Sequence, residues 1–302
     1  MPMGEAVKKA FVTGGSGFLG RNLIGYLGRQ NIEVLALVRS IDARQVVERA
    51  GAKAIEGDLF SEDVMARAMA DCDVVFHCAA LADDWGKRQT FYRINVEGTE
   101  SVLRAARKAK VSVLVHVSTE AVLCGERRIV GATEDQPLAR HPSGLYPWSK
   151  GLAEKAVRAA ATDDFRTVVV RPRFIWGRDD TTVLPKIMEA VQKGMLKWIG
   201  GGNYLTSTCH VDNVCEGCLC AAEKGRSGEV YFLTDGAPVN FREFISQLLV
   251  AKKLTPPKSL HSLLAHHDFG AYFRRDLVFA ANLRVASHHR DGGQVDRTRS
   301  HS

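Results

Sequence analysis

Short apolar runs at residues 8–14, 33–38, 52–57, 73–80, 111–119 and 166–172 alternate with stretches of helical periodicity, and this order sets the tightest limit on the fold. The runs are rich in Val, Ile, Leu and Phe and are apolar throughout, without alternation between polar and apolar positions. A strand of that kind is buried on both faces, which happens when helices cover both sides of a parallel sheet. Helices are predicted from Phe18, near 42–50, near 61–70, in a long stretch ending near Lys110, and after Tyr146. The expectation is a doubly wound α/β fold. Beyond Pro172 the regular alternation loosens, which marks a smaller C-terminal lobe assembled from pieces. The predicted division is a nucleotide-binding domain over 1–171, a substrate lobe over 172–254 interleaved with the last sheet elements, and an atypical basic tail over 255–302.

The first strand-to-helix turn is rich in glycine. Gly15-x-Gly17-x-x-Gly20 follows a strand directly and opens an amphipathic helix. Glycines there let backbone N–H groups approach a pyrophosphate, and the helix N-terminus adds a favourable partial charge. About 20 residues further on, the end of the second strand inspects the adenosine ribose. Arg39 stands there, followed by Ser40. A carboxylate would accept bonds from a ribose hydroxyl, whereas a guanidinium attracts a 2′-phosphate, so NADP is expected in preference to NAD.

A second feature lies in "LYPWSK", residues 145–150. Tyr146 and Lys150 are four residues apart and share a face if a helix begins here. Pro147 is tolerated only in a first turn, where its missing N–H has no partner, so Tyr146 belongs at a helix mouth. The following residues put Leu152, Ala156, Val157 and Ala160 on one predicted apolar stripe.

Composition narrows the function. The net charge of +7 invites a nucleic-acid reading, but residues 252–302 hold nine basic and four acidic residues and so carry +5 of it. The remaining body is nearly neutral, without aromatic-basic interleaving, and no nucleic-acid partner is expected. Six of the ten histidines lie from His261 onward, in a tail whose end lacks apolar periodicity and reads as disordered. No run approaches the roughly 18 apolar residues of a spanning helix, and the start of the chain lacks a signal-peptide core. A cytoplasmic location is the expectation. The seven cysteines have no framework spacing and read as small buried hydrophobes, Cys215 and Cys218 on a helix near 211–224 included; no metal is expected.

Thr13–Gly20 and Tyr146-x-x-x-Lys150, together with "GDL" (57–59), "HCAA" (77–80), "NVEGT" (95–99), "VSTEAV" (117–122), "RPRFIWG" (171–177), "HVDNV" (210–214) and "YFLTDG" (231–236), resemble the extended short-chain dehydrogenase/reductase family. Within it, residues 80–99 and the "HVDN" segment are most similar to the 3β-hydroxysteroid and sterol dehydrogenase branch. The resemblance implies a Rossmann-type sheet and a small-molecule secondary alcohol or ketone as substrate. It also implies that Gly14, Gly17, Phe18, Leu19 and Gly20 bind the cofactor, the three glycines facing its pyrophosphate, that Asp58 and Leu59 flank the adenine and that Ala79 and Ala80 form the wall near the ribose. Thr119 would bond the reacting oxygen, with Ser118 as the alternative. Tyr146 would be the acid/base, and Lys150 would bind the nicotinamide ribose and lower the tyrosine's proton affinity. A phenol titrating near 10 must fall to about 7, roughly 4 kcal/mol, and one ammonium at about 4 Å in a medium of dielectric near 20 supplies about that much.

Flavonoid-type ketone reductases, nucleotide-sugar epimerases and a non-catalytic nucleotide-binding protein are the alternatives. Related proteins often form homodimers. Asp83, Asp84 and Trp85 follow the fourth strand at the sheet's ligand-binding edge, where Trp85 either covers substrate or has a simple lid-anchor or surface role. Phe174, Trp176, Leu184, Met188, Trp198 and Tyr204 are the expected apolar lining of the substrate lobe.

Overall fold

The structure, a computed structural model, describes residues 6–257 apart from residue 84 and residues 126–128. Asp84 and most of the basic tail therefore lie outside the described residues. The sheet is built from β1 (Lys9–Thr13), β2 (Glu33–Val38), β3 (Lys53–Glu56), β4 (Val74–His77), β5 (Val113–Val117), β6 (Arg166–Pro172) and β10 (Val230–Leu233). Their spatial order is β3-β2-β1-β4-β5-β6-β10, every pair parallel. The chain begins in the middle, winds out to β3, then crosses back to lay β4 against the other side of β1. That reversal leaves a crevice beyond the carboxyl ends of β1 and β4, where ligands bind in doubly wound sheets.

Strand residues alternate between two covering layers. Val12, Ala36, Phe76 and Val115 face one cluster with Leu23, Ile24 and Leu27 of α1 (Phe18–Arg29) and Val214, Cys215 and Cys218 of α8 (Val211–Lys224). Phe11, Leu35, Val75 and Leu114 face the other cluster, with Met65 and Met69 of α3 (Glu62–Met69), Val102 and Ala106 of α5 (Gly98–Lys108) and Val157 of α6 (Leu145–Ala159). Burial from both sides is the physical reason these strands carry apolar residues on both of their faces. Between β2 and β3, α2 (Ile41–Arg49) is capped by Ser40, whose hydroxyl accepts from the Ala43 N–H at 3.2 Å.

The remaining elements are short. β7 (Ile175–Trp176) pairs with β9 (Cys209–His210), and β8 (Leu205–Thr206) pairs with β11 (Val239–Asn240). α7 (Leu184–Gln192) and α9 (Phe241–Ala251) pack together through Ile187, Ala190, Phe241, Ile245 and Leu249.

Three local expectations need correction. The long helix ends at Lys108, near the predicted Lys110, but it is not continuous: α4 (Arg88–Phe91) and α5 are joined by a π-helical stretch, Tyr92–Glu97. The sheet has a seventh strand, β10, absent from the predicted runs; Val-Tyr-Phe-Leu is apolar throughout, but at its edge position only Val230 of the four is buried. On α6 the inward face is turned from the predicted stripe: Lys150, Ala153, Glu154 and Val157 are buried, while Leu152 and Ala156 are only partly so. The stripe misleads because two of its true members are charged.

Candidate active site

The glycine turn is shaped by close approach. Gly14 has φ +72°, and a Cβ there would lie 2.6 Å from the Ala79 N and 2.7 Å from its Cα. Only glycine lets β1 and the strand end at Ala79 come this near. At Gly20 a Cβ would fall 2.1 Å from the Gly14 carbonyl oxygen, so the first turn of α1 is seated directly on the turn that precedes it. Gly17 is the N-cap and offers no side chain to the N–H groups of the first turn, which Phe18 and Leu19 begin. A short backbone cradle, closed to side chains and ending on an uncapped helix N-terminus, fits the pyrophosphate of a dinucleotide.

A buried hydrogen-bond chain holds that cradle against β4. Thr99 donates to the Asn95 carbonyl at 2.6 Å, so its oxygen receives from His77 Nε2 at 2.9 Å. His77 Nδ1 then accepts from the Thr13 hydroxyl at 2.7 Å, and Thr13 accepts from the Ala79 N–H at 3.4 Å. The chain fixes His77 as a neutral Nε2–H tautomer. Burial pushes its imidazole down to about 3, and the nearby Lys150 ammonium acts in the same direction. Ala79 is half-buried and Ala80 exposed beside this edge.

At the adenosine end, Arg39 is exposed directly after β2, and among the described residues no carboxylate lies within ion-pair distance of it. Asp58 is partly committed: its Oδ1 accepts from the Phe60 N–H and the Ser61 hydroxyl, both at 2.9 Å, and these bonds hold its carboxyl below the usual range, with the Ser61 contribution largest. Leu59 packs on Gly98, where a Cβ would come within 2.9 Å of the leucine Cδ1.

At the other end, α6 begins at Leu145 with Pro147 in its first turn, as its missing N–H requires. Tyr146 is half-buried at the helix mouth. One turn on, Lys150 is 2% exposed and donates to the Val117 carbonyl at 2.7 Å and to His116 Nε2 at 3.1 Å. Desolvation lowers its ammonium to about 8 against the opposing pull of Glu154 and Cys78. Thr119 caps the 3₁₀ turn Glu120–Leu123; its oxygen accepts from the Ala121 N–H at 3.2 Å, and its proton goes to Glu120 Oε2 at 3.0 Å. Glu120 in turn pairs with Arg173 at 2.9 Å. Ser118, the alternative to Thr119, donates instead to the buried Glu154 at 2.7 Å, and Glu154 is paired with the equally buried Arg171. The fold thus brings Thr119 and the Tyr146 helix mouth to the carboxyl end of β5, two strands from the glycine cradle.

With that geometry in view, the comparison with known families decides the classification. Residues 11–263 match the 3-beta hydroxysteroid dehydrogenase/isomerase family. The chain belongs to that family. A 4-hydroxy-2-methyl-3-oxo-4-farnesyl-3,4-dihydroquinoline-1-oxide ketoreductase from Stigmatella aurantiaca is 53% identical over 241 residues, covering 80% of this chain and 72% of the relative. A decarboxylating sterol-4-alpha-carboxylate 3-dehydrogenase from Dictyostelium discoideum is 33% identical over 265 residues, covering 85% of this chain and 80% of the relative. Among solved structures, a dTDP-glucose 4,6-dehydratase from Streptomyces venezuelae with NAD bound superposes with a TM-score of 0.72 at 25% identity, covering 88% of this chain and 90% of that one. This member of the hydroxysteroid dehydrogenase family is therefore an NAD(P)-dependent oxidoreductase on a doubly wound Rossmann-type sheet.

Other residues singled out in the sequence fall differently. Leu184 and Trp198 are buried, and Phe174 stacks edge-on against Phe241 and Phe244, so much of the expected substrate lining belongs to the hydrophobic cluster between α7 and α9. Trp176 bonds Asp235 at 2.8 Å, and Tyr204 stacks on Phe241. Trp85 is 55% exposed. Cys215 and Cys218 are buried in the apolar layer, and burial pushes both thiols up.

Asn95, in the "NVEGT" motif, is a residue to which sequence reasoning assigns no role. From the π-helical stretch it grips Leu81 through both backbone groups at 2.7 and 3.0 Å and donates to Ser149 at 2.9 Å. Together with Trp148, which lies beneath the Arg88 guanidinium at 4.3 Å, it ties the mouth of α6 to the helix after β4. An asparagine on a buried helix face between Phe91 and Val102 was the available signal.

Proposed function

We propose that the chain is an NADP(H)-preferring ketone reductase that acts on a ring ketone carried by an apolar body, of sterol-like or prenylated heteroaromatic type. Residues 172–254 are the substrate lobe in this reading. The bound nicotinamide supplies or accepts the hydride. Tyr146 donates its phenolic proton to the carbonyl oxygen as that oxygen gains charge, leaving a phenolate; oxidation of the alcohol returns the proton to it. Thr119 orients the reacting oxygen, turning its hydroxyl from Glu120 to do so. Lys150 supplies the positive charge that stabilises the phenolate and hydrogen-bonds the cofactor ribose with the proton not committed to Val117 and His116. Gly14, Gly17, Phe18, Leu19 and Gly20 receive the pyrophosphate; Asp58, Leu59, Ala79 and Ala80 line the adenosine side; Arg39 meets the 2′-phosphate.

The observation that carries the reading is the seat of Lys150: a buried ammonium one helical turn from Tyr146, bonded to the carbonyl of Val117 at the carboxyl end of β5, two residues before Thr119. The ketone direction is supported by the relative of 53% identity, which is named a ketoreductase. The test is a panel of 3-oxosteroids, 3-oxo-dihydroquinolines, flavonoid ketones and UDP-sugars with NADPH and NADH, read by loss of reduced-nicotinamide absorbance. Stoichiometric oxidation of NADPH with a steroid or quinoline ketone is expected. Turnover of UDP-sugars without net cofactor oxidation would replace this reading with epimerisation.

A further inference from the structure

Lys150 and Tyr146 do not account for every ionisable group buried at this end of the sheet. His116 sits on β5 in register with His77 on β4, their rings 5.2 Å apart, and both side chains are fully buried. His77 has both nitrogens bonded. For His116, Nε2 faces the Lys150 ammonium at 3.1 Å, while Nδ1 is buried with no partner among the described residues. An ammonium has protons to give and no lone pair, so Nε2 must be the acceptor and the ring proton must stay on the unbonded Nδ1. A ring that leaves its own donor unsatisfied in order to present an acceptor is oriented toward the lysine.

We propose that His116 is a positioning residue for Lys150, a neutral acceptor that holds the ammonium charged and aimed along β5. This rests on the reading of Lys150 as a cofactor-binding cation. The groups facing Lys150 agree with such a role. Glu154, on the same helix, is already bound by Arg171 and Ser118. On the β4 side, His77 is neutral, and Cys78 is a thiol that burial pushes up to about 12. Tyr146 shares the helix face. Among the described residues Lys150 donates to the Val117 carbonyl and to His116, both uncharged, so loss of His116 removes one of the two hydrogen-bond acceptors that favour the charged amine over the neutral one.

The test uses NADPH as the probe, with its fluorescence followed on titration from pH 6 to 10 against wild type, His116→Leu, His116→Gln, His116→Asn and Lys150→Met. In wild type, affinity is expected to fall as pH rises through the range in which Lys150 loses its proton. In His116→Leu that fall should occur about one pH unit lower, weakening binding about tenfold in the window between the two midpoints. An amide oxygen replaces the acceptor, so Gln or Asn should restore the wild-type midpoint; far-UV circular dichroism and the melting temperature confirm that each variant is folded. If His116→Leu binds with the wild-type midpoint, or if neither amide variant restores it, His116 does not position Lys150. If Lys150→Met itself binds NADPH with wild-type affinity and pH dependence, the assignment of Lys150 to the cofactor fails instead, and the two failures are told apart.

Discussion

Acid should unfold this protein partly through His77, and the structure fixes the size of the effect. The imidazole is fully buried, hydrogen-bonded on both sides as the neutral tautomer, and depressed from 6.5 to about 3 by burial first and by Lys150 second. The folded state therefore refuses a proton that the unfolded chain accepts below its own value near 6.5. A depressed histidine contributes stability that is fully present above 6.5 and drains away as pH falls toward 3. At pH 5 the unfolded chain sits 1.5 pH units below its midpoint, worth about 2 kcal/mol at about 1.4 kcal/mol per unit. The perturbation is His77→Asn, which keeps hydrogen-bonding capacity and removes the titration. Urea unfolding of both proteins at pH 7 and pH 5 is the assay. His116, also held well below its usual value by burial, is present in both proteins and cancels. The stability gap between wild type and variant should close by about 2 kcal/mol at the lower pH. A gap that stays constant to within about 0.5 kcal/mol would show that His77 is not the neutral buried group described here.

Arg39→Ala should raise the Kd for NADPH by roughly 10- to 100-fold, the loss of a charge-assisted contact of about 1.5–3 kcal/mol, while that for NADH changes little; isothermal titration with both cofactors checks it, and equal weakening of the two would refute the phosphate contact. Glu154→Ala leaves Arg171 buried and unpaired, since both side chains are essentially inaccessible, and should cost about 3–5 kcal/mol in urea unfolding.

The winding of the sheet was legible because burial on two faces imposes a simple rule on composition, and β1, β2, β4, β5 and β6 obey it. β10, apolar though it is, escaped because it stands beyond Pro172, where the regular alternation of strand and helix loosens, and the π-helical stretch escaped because a single bulged turn leaves the helical spacing almost unchanged. The glycine turn and the Tyr146–Lys150 spacing were legible for a different reason: close approach and one helical turn are local constraints that a few residues express. What stayed hidden depends on pairs far apart in the chain. Glu154 reads as a solvent-facing helix residue until Arg171, 17 residues later, is seen across from it. Likewise His116 reads as core until Lys150, 34 residues away, reaches its ring. The aromatic residues of 174–204 read as a binding lining because the sequence does not reveal that α9 returns Phe241 and Phe244 to cover them.

The proton-transfer role of Tyr146 is tested most directly by the turnover of Tyr146→Phe on the best ketone of the panel, with NADPH affinity measured on the same preparation. Loss of turnover by a factor of about 10² to 10⁴, with affinity for NADPH within a few-fold of wild type, is the expected pair of results. Turnover near the wild-type rate would show that the proton comes from elsewhere and that the helix mouth at Tyr146 is not the reacting centre.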